Sequence, residues 1–362
     1  MNYKNIAPAG RSASSFDPAC VAAAGRFVAA SRDLTDRSAW NLRMFAALNL
    51  FLWHLKAFPR ADDPRPGFVA ACERAIAVIE AGRGLAALTG EFPPLPDDQS
   101  LEFESAVSGL FSDIWVDMTD DIYFDETYRF TRERLEKSGV DPEALFGGKV
   151  VVDGGCGSGK FSAAIARLGA AKVIGLDIGQ KGLDFAVRQA TKVPYGNRLD
   201  YRHASLLDIP LENASVDMVW SNGVIHHTLD YERCIREFAR ILKPGGQLFL
   251  YVNGSFGLFE LLQETVRKAN VDIPRSLFQA YIKSLGVNSG RLYWLMDCLY
   301  APYEYKHRAE VVTMLEYNGF TAIRQLLRGV ASDQIEQVSA GVPYAEVKYG
   351  EAQLKFLCTK AA

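Results

Sequence analysis

The stretch VVVDGGCGSGKFS, residues 150–162, contains the residues best suited to hold a cofactor. Counted from Gly154, it has Gly159 and Lys160 at the spacing of a phosphate-binding P-loop, which it matches except at the last position. A P-loop also needs Ser or Thr directly after the lysine to hold magnesium, and Phe161 occupies that place. The stretch therefore does not predict a nucleoside triphosphate site.

Counted from Asp153, the same stretch has the pattern Asp-x-Gly-x-Gly-x-Gly, with glycines at 155, 157 and 159. Gly155, Gly157 and Gly159 allow a tight strand-to-helix turn and leave bare backbone for a ligand. Eighteen residues beyond the last glycine, an apolar run ends in Asp177, where doubly wound folds accept hydrogen bonds from ribose hydroxyls. Together these residues predict a cofactor that contains adenosine.

The charge of Asp153 separates two such cofactors. A dinucleotide brings a pyrophosphate to this turn and usually requires Gly-x-Gly-x-x-Gly. The methionine part of S-adenosylmethionine (SAM) instead carries an ammonium group, which a carboxylate suits directly or through water. The sequence therefore favours SAM, and Lys160 is expected to face solvent or to neutralise the loop rather than to bind phosphate.

The elements that must position these residues follow an alternating pattern. From residue 149, short β-branched runs alternate with amphipathic helices, which is typical of an α/β fold with a doubly wound, Rossmann-like sheet. The predicted strands are 149–152, 172–176, 199–203, 216–221, 247–252, 321–327 and 353–358. Residues 231–242 form an amphipathic helix, and the sequence KPGG at 243–246 is expected to end it in a turn.

Two further regions flank this pattern. Residues 1–145 are helical in character, apart from a proline-rich break at 91–98, and predict an N-terminal helical domain before a catalytic domain at 146–362. Residues 255–307 are a mainly helical insertion at the end of a sheet strand, where ligands bind in such folds, so they are a candidate lid or substrate wall. The apolar run 44–55 predicts a buried helix or a homodimer contact.

Composition excludes several classes of function. The 362-residue chain has 40 Lys and Arg against 43 Asp and Glu, a net charge of -3, and no basic run, so a nucleic-acid partner is not expected. No run approaches the ~20 apolar residues that span a membrane, and the N-terminus lacks the apolar core of a signal peptide, which predicts a cytoplasmic protein. No metal is expected, because no Asp, Glu or His pair recurs at ligand spacing at the ends of the later strands. The cysteines have no zinc-site spacing either; they are Cys20, Cys72, Cys156, Cys234, Cys298 and Cys358.

Four stretches resemble the class I SAM-dependent methyltransferases, in the group similar to ubiquinone and menaquinone biosynthesis enzymes. They are VVDGGCGSG at 151–159, VIGLDI at 173–178, DIPLENASVDMVWSNGVIHHT at 208–228 and ILKPGG at 241–246. The resemblance is continuous over 149–252 and looser over 309–320. It implies a seven-stranded sheet that ends in an antiparallel hairpin, and a chain that methylates an acceptor with SAM as the methyl donor.

The resemblance also implies roles for particular residues. Asp153 and the three glycines at 155, 157 and 159 would hold the amino-acid part of SAM, Asp177 would bind the ribose, and Ile178 would pack on adenine. Many relatives have an Asp near the adenine amino group where this chain has Ser205. Recognition of adenine would then rest on Ser205 and the Leu206 backbone, or on Asp208.

The remaining site predictions concern the methyl-transfer side. The resemblance implies that Asn222 lies beside the sulfonium. Tyr123 or Tyr128 is expected to touch the SAM pocket, because this fold often lays a helix over the cofactor ahead of its first strand; packing between domains is the alternative. His226 and His227 follow the fourth strand and titrate near neutral pH, so they are candidate bases or purely structural residues.

His307 is a third candidate, either catalytic, lining the substrate pocket or in an ordinary connector. The predicted acceptor is a small or medium-sized organic molecule with apolar surface, methylated on oxygen by preference, with carbon, nitrogen and sulfur open. The alternative function is a non-catalytic subunit with a SAM fold that acts through its helical domain. Intact glycines and Asp177 count against that alternative.

Overall fold

Two compact units make up the structure, a computed structural model that describes residues 16–35, 39–86, 118–255, 257–287, 289–301, 303–331 and 333–362. The helical unit comprises the described residues up to 86 with 255–301 and 341–351. The sheet unit comprises the described residues from 118 to 254 with 303–340 and 352–362. The proline-rich segment 91–98 lies outside the described residues.

Seven strands form one sheet in the sheet unit, in the order β3-β2-β1-β4-β5-β7-β6. They are β1 (Val150–Gly154), β2 (Lys172–Asp177), β3 (Leu199–His203), β4 (Val216–Asn222), β5 (Leu242–Asn253), β6 (Phe320–Gln325) and β7 (Gln353–Lys360). The first five pair in parallel, and β7 is antiparallel to both β5 and β6. The predicted fold class, including the antiparallel hairpin at one edge, is confirmed.

The strand order places the site at one edge of the sheet. Because the order reverses on the two sides of β1, the carboxyl ends of β1, β2 and β4 meet at a switch point, where doubly wound folds bind ligands. Asp153 pairs in register with Gly175 of β2 and with Trp220 of β4. The turns after these three strands therefore lie side by side.

Helices cover both faces of this sheet. They are α4 (Thr127–Lys137), preceded by a π-helical turn at Asp121–Glu126, α5 (Pro142–Phe146), α6 (Lys160–Arg167), α7 (Gln180–Ala190), α8 (Tyr231–Ile241), α12 (Arg308–Tyr317) and α13 (Gln334–Ser339). On one face Val152, Val219 and Leu248 pack with Phe238 of α8. On the other face Val151 and Trp220 pack with Ile165 of α6 and Leu135 of α4. Alternate residues of the same strands thus serve the two cores.

The turn predicted at 243–246 is part of β5 instead. Helix α8 ends at Ile241, and the strand begins at Leu242. The register jumps from Val216 opposite Leu242 to Met218 opposite Gln247, so residues 243–246 form a bulge that the strand absorbs. Gly245 supplies the positive φ of 77° that the bulge requires. The prediction that these residues stop the helix was right, but the strand starts earlier than expected.

The helical unit is assembled from three parts of the chain. Its helices are α1 (Pro18–Arg32), α2 (Trp40–Lys56), α3 (Pro64–Ala86), α9 (Leu258–Ala269), α10 (Arg275–Ser284), α11 (Ser289–Tyr300) and α14 (Ala345–Tyr349). His54 of α2 stacks on Phe259 of α9 with ring centres 4.6 Å apart. The buried Arg43 of α2 donates from Nη1 to Asp272 at 2.8 Å. Aromatic packing and this ion pair hold the insertion against the N-terminal helices.

The boundaries of the two compact units differ from those of the predicted domains. Residues 118–145 belong to the sheet unit, because Leu135, Val140 and Phe146 are part of its core. Residues 255–301 belong to the helical unit. A lid function for residues 255–307 stays a prediction.

Helix α2 explains the apolar run at 44–55. Met44, Leu50 and Phe51 are buried, whereas Phe45 and Leu52 are exposed. The homodimer contact therefore stays a prediction for the exposed pair. Along the described part of the chain, no helix is both long and apolar enough to cross a membrane.

The first turn of the site depends on Gly155, which has a φ of 80°. A Cβ at this position would lie 2.3 Å from Cγ1 of Val224. We expect Gly155→Ala to reduce the free energy of unfolding by about 1–2 kcal/mol through its backbone and by about 1–3 kcal/mol through overpacking. Urea unfolding measures the sum.

Gly148 provides the matched control, since its φ is 69° and a Cβ there would meet nothing within 4 Å. Gly148→Ala should show only the backbone effect. Adding Val224→Ala to the Gly155→Ala protein should recover part of the packing effect, because it removes the two methyl carbons at 2.3 and 2.5 Å but keeps the Val224 Cβ at 2.9 Å. Equal destabilisation by both glycine substitutions, without recovery, would show that the contact with Val224 does not matter.

Candidate active site

The turn between β1 and α6 is held against β2 by its backbone. The N–H groups of Gly155 and Cys156 both donate to the carbonyl of Leu176, at 2.8 and 3.0 Å. Gly157 and Gly159 have φ values of 56° and 79°, so the turn is accessible only to residues without a Cβ penalty. The three glycines are thus brought together in one loop that follows β1.

Asp177 ties this loop to the end of β2. One carboxylate oxygen accepts the Gly157 N–H at 2.8 Å, and the other accepts the Gly179 N–H at 2.7 Å. Burial raises the pKa of Asp177, and the backbone N–H groups oppose that rise by stabilising the charged form. The backbone N–H of Ile178 also bonds to this carboxylate, but a carboxylate has about four lone-pair sites and can still accept a bond from a ligand.

Asp153 is the second acidic group of the site, and only 2% of its surface is exposed. The Ser162 hydroxyl donates to its Oδ2 at 2.6 Å. Burial raises the pKa of Asp153 from 3.8 to about 7, the Ser162 hydrogen bond lowers it, and the negative charge of Asp177 raises it again. Among the described residues no cation lowers the pKa of Asp153, which explains why burial can raise it this far.

The residues predicted to hold adenine follow β2 and β3. The Ile178 carbonyl lies 3.0 Å from Nε2 of His203, and the Leu207 N–H donates to Ser205 Oγ at 3.2 Å. Leu206 is buried and belongs to the core cluster of that face of the sheet. The structure therefore brings Ile178, Ser205 and Leu206 to the same edge as the glycine loop.

The histidines after β4 lie in different surroundings. His226 is buried and stacks on Tyr303 with ring centres 5.2 Å apart. Its burial, together with the neighbouring His227, lowers the pKa of His226 well below its ordinary value. His227 is half-buried, and its ring meets Tyr303 edge-on at 4.4 Å. Asn222, at the end of β4, accepts a 3.4 Å hydrogen bond from Arg134.

His307 and Tyr128 have structural contacts in this fold. His307 precedes α12 as its N-cap, and its N–H donates to Glu310 at 2.6 Å in a capping box. Tyr128 lies with its ring 4.0 Å from the Arg167 guanidinium and accepts from Arg132 at 3.2 Å. Contacts of this kind fit the structural alternatives for both residues.

Tyr123 contacts the glycine loop directly. This buried side chain donates from its hydroxyl to the Ser158 carbonyl at 2.8 Å, and burial raises its pKa. The helical segment ahead of β1 therefore braces the loop through Tyr123 rather than through Tyr128.

Sequence reasoning missed two partners of the site, Ser162 and Arg134. Ser162 lies nine residues beyond Asp153, on the buried side of α6. Arg134 lies one helical turn beyond Phe130, and its guanidinium is 4.0 Å from that ring. A charged residue on the apolar side of an amphipathic helix was the available signal.

Within the described residues, no group of three or more His, Cys, Asp and Glu side chains could hold a metal ion. That a metal is unnecessary stays a prediction, which a chelator added to an activity assay would test.

Comparisons with known proteins agree with this geometry. A family profile described as a methyltransferase domain matches residues 152–250. The 27-O-demethylrifamycin SV methyltransferase of Amycolatopsis mediterranei is 28% identical over 205 residues, which are 54% of this chain and 75% of that protein. The malonyl-acyl-carrier-protein O-methyltransferase of a Methylovorus species is 38% identical over 152 residues, 40% of this chain and 48% of that protein.

The ubiquinone biosynthesis O-methyltransferase of Pseudomonas paraeruginosa is 36% identical over 117 residues, 32% of this chain and 49% of that protein. The chain thus spans about half the length of the last two relatives. Residues 152–250 form a class I SAM-dependent methyltransferase domain. The predicted family, enzyme class and cofactor are confirmed.

The buried carboxylate of Asp153 makes SAM binding dependent on pH. Ionised Asp153 attracts the ammonium group of the methionine part, so affinity should rise as pH rises through about 7 and then level off. The ligand-free protein should become less stable as the pH rises from about 4 to about 7. Over this range the folded state keeps a proton on Asp153 that the unfolded chain releases. Calorimetry across pH 5.5–8.5, a range of roughly one and a half units on each side of that pKa, measures the first effect.

Ser162→Ala should move the affinity curve to higher pH, because the hydroxyl that lowers the Asp153 pKa is lost. Asp153→Asn should remove the rise near pH 7. A curve that is the same in wild type and Asp153→Asn would show that Asp153 does not face the ammonium group.

Proposed function

We propose that this chain transfers the methyl group of SAM to an oxygen atom of a small or medium-sized organic acceptor. Two of the relatives are named as O-methyltransferases, which supports oxygen as the accepting atom. The observation that carries the proposal is the pairing of the buried carboxyl group of Asp153 with a glycine turn that Asp177 holds in place.

This arrangement fits the cofactor on chemical grounds. Asp153 offers a carboxylate that burial leaves without a cation, and the ammonium of a methionine part supplies one. Asp177 has lone pairs left for ribose hydroxyls, and the glycine loop presents backbone without side chains. Ile178 and Ser205 flank the same edge, where they would border the adenine.

The cofactor supplies an activated methyl group, so the chain has to place the acceptor in line with it and exclude water. An acceptor hydroxyl must also lose a proton, which favours a nearby base. Among the candidates, we assign this role to His227. It is half-buried in the turn that follows β4, and its ring packs against Tyr303.

His226 is a weaker base than His227 in this proposal. Its pKa lies well below the ordinary value because it is buried, and a ring that resists protonation gains little by taking a proton. Its stacking on Tyr303 instead holds the loop that carries His227. The Glu304 N–H also donates to the His226 carbonyl at 2.8 Å, which fixes the backbone of this loop.

The aromatic side chains beside His227 indicate the kind of acceptor. Tyr303 stacks on Tyr305 with ring centres 5.4 Å apart, and both rings are buried. Such a wall favours an acceptor with an apolar or aromatic surface close to the hydroxyl that is methylated.

The proposal is tested in two stages. Calorimetry with SAM should show binding that Asp177→Ala weakens, since the substitution removes the carboxylate that orders the loop. A panel of phenols, carboxylic acids and aliphatic alcohols should then be incubated with the protein and SAM. At least one acceptor should lead to formation of S-adenosylhomocysteine, and mass spectrometry should locate the new methyl on its oxygen. Failure to bind SAM contradicts the proposal, and binding without turnover of any acceptor favours the non-catalytic alternative.

His227→Gln should lower kcat by about 100-fold to 10,000-fold with little change in SAM affinity, which is the usual range for loss of a general base. His307→Asn is the matched control, because asparagine keeps the helix cap and should leave kcat unchanged. An unchanged kcat in His227→Gln at every pH would assign the proton to another acceptor, such as bulk water.

A further inference from the structure

Two buried cations share one carboxylate at the carboxyl edge of the sheet. Arg134 of α4 donates from Nε and Nη2 to the two oxygens of Asp333, at 3.0 and 2.8 Å. Lys355 of β7 forms an ion pair with the same Asp333. All three side chains are at least nine-tenths buried. The cluster therefore carries more positive than negative charge.

This cluster adjoins the methyl-transfer side of the site. Arg134 uses its remaining nitrogen, Nη1, to contact Asn222 at 3.4 Å. Asn222 ends β4, whose Trp220 is in register with Asp153 of β1. A guanidinium has five N–H groups, so Arg134 keeps donors beyond those that Asp333 and Asn222 use.

Lys160 adds a third cation beside Arg134. The first residue of α6, it is half-buried, its Nζ lies 5.3 Å from the Phe161 ring centre, and it has no hydrogen-bond or ion-pair partner in the described part of the chain. Helices α4 and α6 pack in opposite directions, with Tyr128 against Arg167 at their other ends. That arrangement brings Arg134 and Lys160 to the same end.

The electrostatics of the lysines reflect this crowding. Burial lowers the pKa of Lys160, exposed Glu126 raises it and Arg134 lowers it again. Burial and then Arg134 lower the pKa of Lys355 to about 8, against the attraction of Asp333 and the more distant Glu336. Glu336 itself is paired with Arg328 outside the cluster. A buried surplus of charge is unfavourable unless an anion compensates it.

We propose that Arg134 and Lys160 form a binding site for a carboxylate, with Lys355 engaging Asp333 so that Arg134 stays available to the ligand. A carboxylate fits better than a phosphate, because Asp153 and Asp177 at the same edge of the sheet would repel a second negative charge. The inference rests on the proposed function for its location. The carboxylate comes either from the methionine part of the cofactor or from an acidic acceptor.

The first arm of the test concerns the cofactor. S-adenosyl-3-thiopropylamine is S-adenosylhomocysteine without its carboxylate, and calorimetry compares the affinities of the two. If the methionine carboxylate occupies the site, wild type should prefer S-adenosylhomocysteine by about 10-fold to 100-fold, as for a charged hydrogen bond. Lys160→Met should largely abolish that preference and leave the affinity for the amine analogue unchanged.

The second arm concerns an acidic acceptor. Benzoate and benzamide have the same ring but differ in charge, and both are titrated against protein saturated with S-adenosylhomocysteine. If the acceptor carboxylate occupies the site, benzoate should bind more tightly than benzamide by a similar factor. Lys160→Met and Lys355→Met should then remove the discrimination without weakening S-adenosylhomocysteine.

Lys172→Met is the matched control, since Lys172 lies at the opposite end of β2 in an exposed pair with Asp200. It should change neither ratio. Lys355→Met removes the surplus charge and leaves the Arg134 and Asp333 pair neutral, so the thermal midpoint should show a folded protein.

The inference is overturned if both ratios stay the same in Lys160→Met and Lys355→Met as in wild type. It is also overturned if Lys160→Met weakens the charged and uncharged probes equally, because that result shows a structural role. Absence of S-adenosylhomocysteine binding to wild type would instead contradict the proposed function. The benzoate arm, run without cofactor, then still decides whether a carboxylate site exists.

Discussion

Two carboxylates that water cannot fully solvate dominate this molecule. Asp153 and Asp177 end neighbouring strands, and burial raises the pKa of both, while the charge of Asp177 raises that of Asp153 further. The fold answers with fixed donors, the Ser162 hydroxyl for Asp153 and the N–H groups of Gly157 and Gly179 for Asp177. Those donors are in place only if the turn after β1 takes its left-handed conformations. The order of the strands, the glycines and the bracing tyrosine all serve that turn.

The strands of the sheet could be predicted because one physical constraint determines their sequences. A parallel strand buried on both faces needs a continuous apolar run, and each run then ends where polar residues are tolerated. That is why the polar groups at 153 and 177 could be assigned to one edge from the residues alone, whereas the place of Asn222 was implied by the resemblance. The bulge in β5 could not be predicted, since residues 243–246 have the composition of a turn and only pairing with β4 makes them part of a strand.

Contacts between distant parts of the chain could not be predicted from the sequence. His226 and His227 are identical neighbours in the chain, yet one is buried and the other half-buried, and both rings contact Tyr303, far along the sequence. Arg134 stands out as a charged residue on the apolar side of α4, but the sequence does not show that Asp333 and Lys355 are its neighbours. The identity of a distant partner leaves no local pattern in either element.

The discontinuous make-up of the helical unit has a consequence for synthesis. Helices α1 to α3 leave the ribosome first, but Phe259 and Asp272, which pack against His54 and Arg43 of α2, are translated only after most of the sheet. Contacts of such high sequence separation form slowly, and the waiting helices expose apolar surface in the meantime. The helical unit is therefore complete only after residues 341–351 have been made, which is later than six of the seven strands of the sheet.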